Sequence, residues 1–135
     1  MAKCPFCDVE GRSGLVLKET PTVLVLANLF PAVDGHLLVV PRGHFGSLAE
    51  LPPDIASEMF KEAVEAACTL ERMGHPAGIN IFLNVGRIAG QSLEHLHLHV
   101  VPRNEDDGLE NFKRKDPSRE RVPESTVALL KIAFS

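Results

Sequence analysis

Three histidines alternate with apolar residues in one stretch of the chain. It reads His95-Leu96-His97-Leu98-His99-Val100. Successive side chains of a β-strand point to opposite faces of a sheet, so this spacing predicts that the imidazoles share one face while the apolar side chains enter the core. Consecutive imidazoles would lie about 6.6 Å apart, the rise of two residues along a strand. The chain has six histidines in all, and three of them in strict alternation indicate a functional site.

Imidazole rings in this pattern can do two kinds of chemistry. They can hold a metal ion together, as in sites where three histidines bind zinc. Alternatively, one neutral ring can attack an electrophile while its neighbours bind the substrate and move protons. The alternation alone leaves both chemistries open.

A second group with possible metal chemistry is the pair of cysteines in Cys4-Pro-Phe-Cys7. Three cysteines in 135 residues do not suit a secreted disulfide framework and favour a reducing compartment. In such a compartment this spacing is typical of half a metal site or of a redox pair, and the chain lacks the βαβ pattern that surrounds thioredoxin-like pairs. The third cysteine, Cys68, is expected to be a small buried apolar residue inside a helix.

Five short apolar segments and one longer segment must position these side chains. The short segments predict strands at residues 14–19, 22–28, 36–41, 79–85 and 96–102. Between Pro53 and Met73 the apolar residues recur at steps of three and four, which indicates an amphipathic helix that stops at Gly74. The order of three strands, one helix and two strands predicts an α+β fold, in which a helix flanks an antiparallel sheet.

The C-terminal part of the chain has a different composition. Residues 105–121 are rich in charge and poor in apolar side chains, which predicts a solvated loop. For residues 127–134 the pattern leaves a short helix and a strand open. We therefore expect a single domain with its core in residues 1–104, and with residues 105–135 as a charged segment and closing element. His75, in Gly-His-Pro after the helix, is expected in an exposed turn.

Length and composition exclude several classes of protein. The chain has 135 residues with 44% hydrophobic and 24% charged side chains, which is typical of one globular domain. Its net charge of −4 argues against sequence-independent binding to nucleic acid, which needs a basic surface. The longest apolar runs, 23–27 and 37–41, are too short to cross a bilayer, and no stretch near Met1 has the pattern of a signal peptide. We therefore expect a cytoplasmic protein that binds neither membranes nor nucleic acid.

The histidine run resembles the signature of the histidine triad (HIT) family, His-φ-His-φ-His-φ-φ with φ apolar, and residues 95–101 match it at every position. Three further blocks are similar to the family's and follow in its order: Asn28-Leu29-Phe30-Pro31, Gly35-His36-Leu37-Leu38-Val39-Val40-Pro41 and residues 84–92. The resemblance spans residues 4–103 and leaves the charged tail outside. It implies a HIT-like five-stranded antiparallel sheet with a long helix and a shorter C-terminal element.

The resemblance also implies a reaction, the transfer of a nucleotidyl group through a covalent histidine intermediate. The middle histidine, His97, would attack the α-phosphorus of a purine (adenine) nucleotide. The backbone carbonyl of His95 would accept a hydrogen bond from its other ring nitrogen and fix the tautomer. His99 would bind phosphate oxygens or pass a proton towards the leaving group.

Other positions acquire expected roles from the matching blocks. Asn28 stands where the family contacts the ribose, while Asn84, Gln91 and Ser92 stand where it contacts the phosphate and leaving group. Each of these residue types also stabilises turns without any ligand. His36 is expected to support the site rather than to perform chemistry.

The cysteine pair has its own place in this resemblance. Together with His44 and His95, Cys4 and Cys7 resemble the zinc site of bacterial HIT proteins and of galactose-phosphate uridylyltransferases. Four protein ligands close the shell of the metal, which is the pattern of structural zinc. The first histidine of the triad would then serve the metal, and the phosphoryl chemistry would stay with His97.

Several functions remain open at this level. The first is a hydrolase or transferase that cleaves a phosphoanhydride or phosphoramidate bond, for instance in a dinucleoside polyphosphate. Alternatives are a nucleoside phosphoramidase, a dinucleoside polyphosphate phosphorylase that uses phosphate in place of water, and a non-catalytic nucleotide-binding module. The resemblance further implies a homodimer, because an open sheet edge exposes unpaired backbone groups.

Overall fold

The protein is described by a computed structural model that covers residues 4–110, 113–114 and 120–135. The strands are β1 Val16–Glu19, β2 Val23–Ala27, β3 Leu37–Pro41, β4 Gly78–Leu83, β5 Leu98–Arg103, β6 Leu109–Glu110 and β7 Lys113–Arg114. The helices are α1 Val9–Arg12, α2 Pro53–Gly74 and α3 Glu124–Phe134. Single 3₁₀ turns occur at Ser13–Leu15, Leu48–Glu50 and Arg87–Ala89.

The described residues form a five-stranded sheet in the order β1-β2-β3-β5-β4, and every neighbouring pair is antiparallel. The predicted α+β fold class is therefore confirmed. Strands β2 and β3 are interior strands of the sheet and are buried along their whole length. This burial on both faces explains why their sequences are continuous apolar runs rather than alternating ones.

Each face of the sheet carries its own apolar cluster. On one face, α2 and α3 cover residues such as Val25, Val39 and Val100. On the other face, Leu24 and Leu38 pack with side chains from the N-terminal loop. The second face is the one on which the histidine site is built, since Leu38 lies directly opposite His99 across β3 and β5.

The long helix is present where the periodicity predicts it, and its end differs by one residue. α2 continues through Gly74, and His75 follows as the cap in the left-handed region with φ of 47°. The next residue is proline, which cannot donate a backbone hydrogen bond and prevents a further turn. His75 is exposed, as expected.

The prediction that Cys68 is buried is wrong. Its side chain is exposed on α2. The buried positions of this helix include Met59, Ala63, Ala66 and Leu70, and a residue two positions after Ala66 is rotated by about 200° from it. Helical geometry therefore places this small thiol on the solvent side despite its apolar character.

The C-terminal part differs from a simple loop. β6 and β7 pair with each other, so the described portion of the charged segment contains a short antiparallel ladder. The rest of that predicted loop, residues 111–112 and 115–119, lies outside the described residues. The closing element is a helix, α3, which begins three residues before the predicted range and buries Leu130 in the main core. No helix among the described residues has the length and apolarity needed to cross a bilayer.

Candidate active site and metal centre

The three histidines of the run do not all lie on one regular strand. β5 begins only at Leu98, and the residues before it are held by a different contact, in which the Leu96 N–H donates to the carbonyl of Phe45 at 2.8 Å. The centroids of the His97 and His99 rings are 4.8 Å apart, closer than the expected separation of about 6.6 Å, and the ring planes make an angle of 58°. Leu98 and Val100 pack with the helix-covered core, as expected, but burial does not alternate along the run, because His95, Leu96 and His97 are all buried.

His97 is 5% exposed and is held by the backbone of its own segment. Its Nδ1 lies 2.8 Å from the carbonyl oxygen of His95. A carbonyl can only accept, so Nδ1 carries the proton and Nε2 keeps a lone pair. Burial lowers the pKa of His97, an effect that its hydrogen bond to the His95 carbonyl partly opposes. The result is a neutral imidazole with one defined basic nitrogen.

The backbone amide of Ala32 determines the tautomers of His36 and His99. The N–H of Ala32 donates to Nδ1 of His36 at 3.0 Å, so the proton of the neutral His36 ring is on Nε2. That nitrogen lies 3.0 Å from Nδ1 of His99 and donates to it, which leaves the proton of His99 on Nε2. His99 is therefore a hydrogen-bond donor at Nε2.

Both rings are neutral near pH 7. Burial lowers the pKa of His36 to about 4, with a smaller contribution from the nearby His97. Burial likewise lowers the pKa of His99 to about 3, followed by the effects of His97 and His36. Phe82, directly opposite on β4, stacks on the His99 ring at a centroid distance of 4.6 Å. Phe82 thus covers one face of His99 and fixes its plane.

The depressed pKa of His36 predicts a stability that falls in acid. In the unfolded chain its imidazole takes up a proton near pH 6.5, and in the folded protein only near pH 4. Between these values the unfolded state binds more protons, so the free energy of unfolding decreases as the pH falls, by about 2 kcal/mol at pH 5 from His36 alone. The ionisable groups that face this ring are His97 and His99.

Denaturant unfolding at pH 7 and pH 5 tests this expectation. His36→Gln should reduce the difference in the free energy of unfolding between pH 7 and pH 5 by about 2 kcal/mol. His75→Gln, at the exposed end of α2, is the matched control and should leave the difference unchanged. An identical pH dependence in wild type and His36→Gln would contradict the assignment.

The predicted phosphate-contacting residues lie together around one loop between β4 and the histidine run. Gly86 and Gly90 adopt φ of 89° and 101°, a region that favours glycine. The Gly86 N–H donates to the Gln91 side chain at 2.8 Å, and the Asn84 amide donates to the Gly90 carbonyl at 3.4 Å. Ser92 is exposed. In this structure the Asn84 and Gln91 side chains stabilise the loop itself.

Asn28 lies next to His36 at the end of β2. Its side-chain oxygen accepts the Phe30 N–H at 3.0 Å, and its amide nitrogen lies 3.4 Å from both ring nitrogens of His36. The equal distances place the amide over the ring rather than on either nitrogen. The structure therefore brings Asn28 to the histidine face, in contact with the residue that supports His99.

The four predicted metal ligands come together. The nitrogen and sulfur atoms of Cys4, Cys7, His44 and His95 all lie within 4.8 Å of one another, and they are the group that can hold a metal ion among the residues that the structure describes. The sulfur-to-nitrogen distances are 3.4 to 3.6 Å and the two Nδ1 atoms are 3.2 Å apart. Tetrahedral zinc requires about 3.6 Å and about 3.4 Å for such pairs. This donor set fits zinc.

The second nitrogen of His95 supports the same conclusion. Its Nε2 lies 2.8 Å from the carbonyl oxygen of Pro41 and donates to it, so Nδ1 presents a lone pair to the cysteines and to His44. A ligand histidine whose other nitrogen donates to a carbonyl is the usual arrangement around protein metals. The three triad rings, in contrast, have separate partners, and their Nδ1 atoms do not converge on one point.

Two phenylalanines that contact the histidines were not predicted from the sequence. Phe6 packs its ring against His95 and His97, and Phe82 stacks on His99. The position of Phe6 between Cys4 and Cys7 was the only feature of the sequence that could have indicated its contact with the histidines. The position of Phe82 depends on the register of β4 against β5, and no local pattern specifies that register.

Comparison with known proteins agrees with these observations. The family model of the HIT domain matches residues 12–106. An uncharacterised HIT-like protein of Methanocaldococcus jannaschii is 36% identical over 107 residues, which are 78% of this chain and 82% of that protein. An AP-4-A phosphorylase of Mycobacterium tuberculosis is 38% identical over 103 residues, which are 73% of this chain and 53% of that protein, so the similarity covers about half of the phosphorylase.

Among solved structures, a zinc-bound histidine triad family protein from Mycobacterium smegmatis superposes with a TM-score of 0.80 at 33% sequence identity. The superposition covers 98% of this chain and 93% of the other. The matched sheet, the triad and the family model over residues 12–106 lead to one conclusion: this chain belongs to the HIT family.

Proposed function

We propose that this protein is a nucleotidyl hydrolase or transferase that acts at the α-phosphorus of an adenine nucleotide through a covalent nucleotidyl-His97 intermediate. The observation that carries the proposal is the hydrogen bond from Nδ1 of His97 to the His95 carbonyl at 2.8 Å. It leaves a single lone pair, on Nε2, on a neutral buried ring. Such a nitrogen is a competent nucleophile at neutral pH.

The proposed reaction has two steps. In the first, Nε2 of His97 forms a bond to the α-phosphorus while the bond from that phosphorus to the leaving-group oxygen breaks. In the second, water attacks the same phosphorus and releases a proton to solvent, the bond from phosphorus to Nε2 breaks and its electron pair returns to Nε2, and a nucleoside monophosphate leaves. The ring stays anchored at Nδ1 through both steps, so it returns to its original tautomer.

His99 and the glycine loop supply hydrogen-bond donors in this scheme. The Nε2–H of His99 is set by the chain from Ala32 through His36, and it donates to a phosphate oxygen or to the leaving-group oxygen, where charge develops. The backbone of residues 86–90 approaches the phosphate closely because glycines occupy both ends. Asn84, Gln91 and Ser92 contact the phosphate and leaving group, and Asn28 contacts the ribose.

We assign a structural zinc ion to Cys4, Cys7, His44 and His95. Zinc with four protein ligands has no open position for substrate and supplies structural rigidity when bound. His95 is both a ligand and the source of the carbonyl that holds His97, so the metal site fixes the backbone on which the nucleophile depends. The zinc-bound relative of similar fold supports this assignment.

The substrate class we propose is the dinucleoside polyphosphates. The similarity to a protein named as an AP-4-A phosphorylase supports it. That relative also favours a specific second candidate, in which phosphate replaces water as the acceptor. Both candidates share the first step and differ only in the group that attacks the intermediate.

The products formed from diadenosine tetraphosphate test the proposal. Attack by water gives AMP and ATP, whereas attack by phosphate gives ADP and ATP, so incubation with and without phosphate followed by chromatography separates the two. Adenosine phosphoramidate, assayed in parallel, reports a phosphoramidase through release of AMP. If the protein binds these compounds without any turnover, it is a nucleotide-binding module and the proposed activity is wrong.

A metalloenzyme with a three-histidine site makes a different prediction about chelation. It should lose activity within a brief chelator treatment and regain it with metal. We expect no effect of brief treatment, because the proposed steps use no metal and four protein ligands release zinc slowly. Rapid loss of turnover with rapid recovery would favour the three-histidine site.

We also propose a cytoplasmic homodimer that binds neither nucleic acid nor membranes. β1 and β4 form the two edges of the described sheet, and an open edge favours pairing with a second chain. α2 presents Phe60 and Val64, one helical turn apart, as exposed apolar side chains. The mass in solution, measured by light scattering, tests the dimer.

We further propose that residues 105–135 belong to the same domain as residues 1–104. The burial of Leu130 in the main core supports this single domain.

A further inference from the structure

Phe6 lies between two of the proposed zinc ligands and reaches the nucleophile. Its ring is 7% exposed. The ring centroid is 5.4 Å from that of His95 and 5.1 Å from that of His97, with interplanar angles of 84° and 63°. The phenyl ring therefore contacts a metal ligand and the catalytic imidazole at the same time.

The loop that carries Phe6 is held mainly by side chains. Its recorded backbone hydrogen bonds are local, from the N–H groups of Cys7 and Asp8 to the carbonyl of Cys4. Within the described part of the chain, residues 4–7 do not pair with any strand of the sheet. The Arg12 guanidinium donates to the Phe6 carbonyl. The phenyl ring is thus held by its packing in the apolar cluster and by the Arg12 contact, and the two cysteines on either side of it give the loop a further anchor when they bind a metal.

His97 needs a second restraint beyond its hydrogen bond. The Cβ–Cγ bond and the hydrogen bond from Nδ1 to the His95 carbonyl hold one side of the ring, but the side that carries Nε2 can still tilt within the tolerance of hydrogen-bond geometry unless neighbouring atoms pack against it. Among the described residues, the rings of Phe6 and His99 contact the His97 ring. Phe6 therefore limits the direction in which the free lone pair at Nε2 points.

We propose that Phe6 is a positioning residue that couples metal binding at Cys4 and Cys7 to the orientation of the His97 imidazole. When the metal is bound, the loop presses the phenyl ring against His97. When the metal is absent, the loop loses one of its anchors and the imidazole can tilt over a wider range. The inference rests on the proposed role of His97 as nucleophile and concerns only how that nucleophile is aligned.

Steady-state kinetics of zinc-loaded variants are the first test. Phe6→Leu keeps an apolar side chain in the cluster but removes the aromatic contact. We expect zinc content to be retained, kcat to fall about 10-fold and KM to change less than about 2-fold, because alignment rather than binding is lost. Leu26→Ala is the control, since Leu26 is buried in the same cluster without a ring contact to His97. It should lower stability and leave kcat per folded molecule unchanged.

The second test observes the imidazole directly. NMR signals of the ring C–H groups, with His97 assigned through His97→Asn, should shift or broaden on complete zinc removal in wild type. In Phe6→Leu the His97 signal should already be altered with zinc present and should respond little to its removal. A His97 signal insensitive to zinc in wild type, or an equal response in both proteins, would overturn the coupling, as would an unchanged kcat in zinc-loaded Phe6→Leu.

These outcomes separate the coupling from the proposed function. If His97→Asn retains turnover, the catalytic proposal itself fails. If His97→Asn is inactive while Phe6→Leu behaves as wild type, only the coupling fails. Where zinc-free protein does not stay folded, as judged by circular dichroism, replacement of zinc by the larger cadmium ion takes the place of zinc removal. The His97 signal should then shift in wild type and respond little in Phe6→Leu, and equal responses in the two proteins would overturn the coupling.

Discussion

His97→Asn abolishes turnover of diadenosine tetraphosphate, with an expected fall of at least about 10³-fold in kcat. Asparagine can place an amide near the His95 carbonyl and preserve part of the local hydrogen bonding, but an amide nitrogen has no lone pair available for phosphorus. The loss should be in kcat rather than KM, because the neighbouring donors that we propose to bind the phosphate remain. Rapid-quench kinetics should show no covalent adduct in the variant.

The same substitution at an uninvolved histidine is the control for this result. His75 is exposed in the left-handed region after α2, which asparagine adopts readily. His75→Asn should therefore retain full activity. Circular dichroism and zinc content should match wild type in both variants. Turnover of His97→Asn within 10-fold of wild type, in folded protein, would rule out the covalent mechanism.

Cys4→Ser has the second large effect, on metal content and stability. Serine retains the size of the side chain but is a poor zinc ligand, and it leaves three ligands around a site built for four. We expect protein purified gently without chelators to contain one zinc ion per chain in wild type and little or none in the variant. The free energy of unfolding should fall by at least about 3 kcal/mol, because metal binding stabilises only the folded state.

Cys68→Ser is the matched control, because the same substitution is made on the exposed side of α2. It should retain zinc and change stability by less than about 0.5 kcal/mol. Elemental analysis and denaturant unfolding measure both quantities. Wild-type protein that contains no bound metal after chelator-free purification would remove the zinc assignment, and so would full zinc occupancy in Cys4→Ser.

Local periodicity determined the secondary structure and the position of the chemistry. The continuous apolar runs of β2 and β3, the three- and four-residue steps of α2, and the alternation around His97 are each properties of a short segment. A short segment can indicate whether it is a strand or a helix and which of its side chains share a face. The antiparallel α+β fold and the set of reactive histidines followed from these patterns and from the resemblance that they carry.

Only the tertiary structure brings these residues into contact and gives their distances and tautomers. Cys4 and His95 are separated by 91 positions and lie 3.5 Å apart, and the tautomer of His99 depends on the Ala32 amide through His36. The start of β5 at Leu98 depends on a contact with a distant segment, because the Leu96 N–H donates to the carbonyl of Phe45. The histidines that could do chemistry were therefore recognisable in the chain, and the resemblance implied the division between metal ligand, nucleophile and donor that we propose. The distances and hydrogen bonds that this division requires exist only when the sheet has formed.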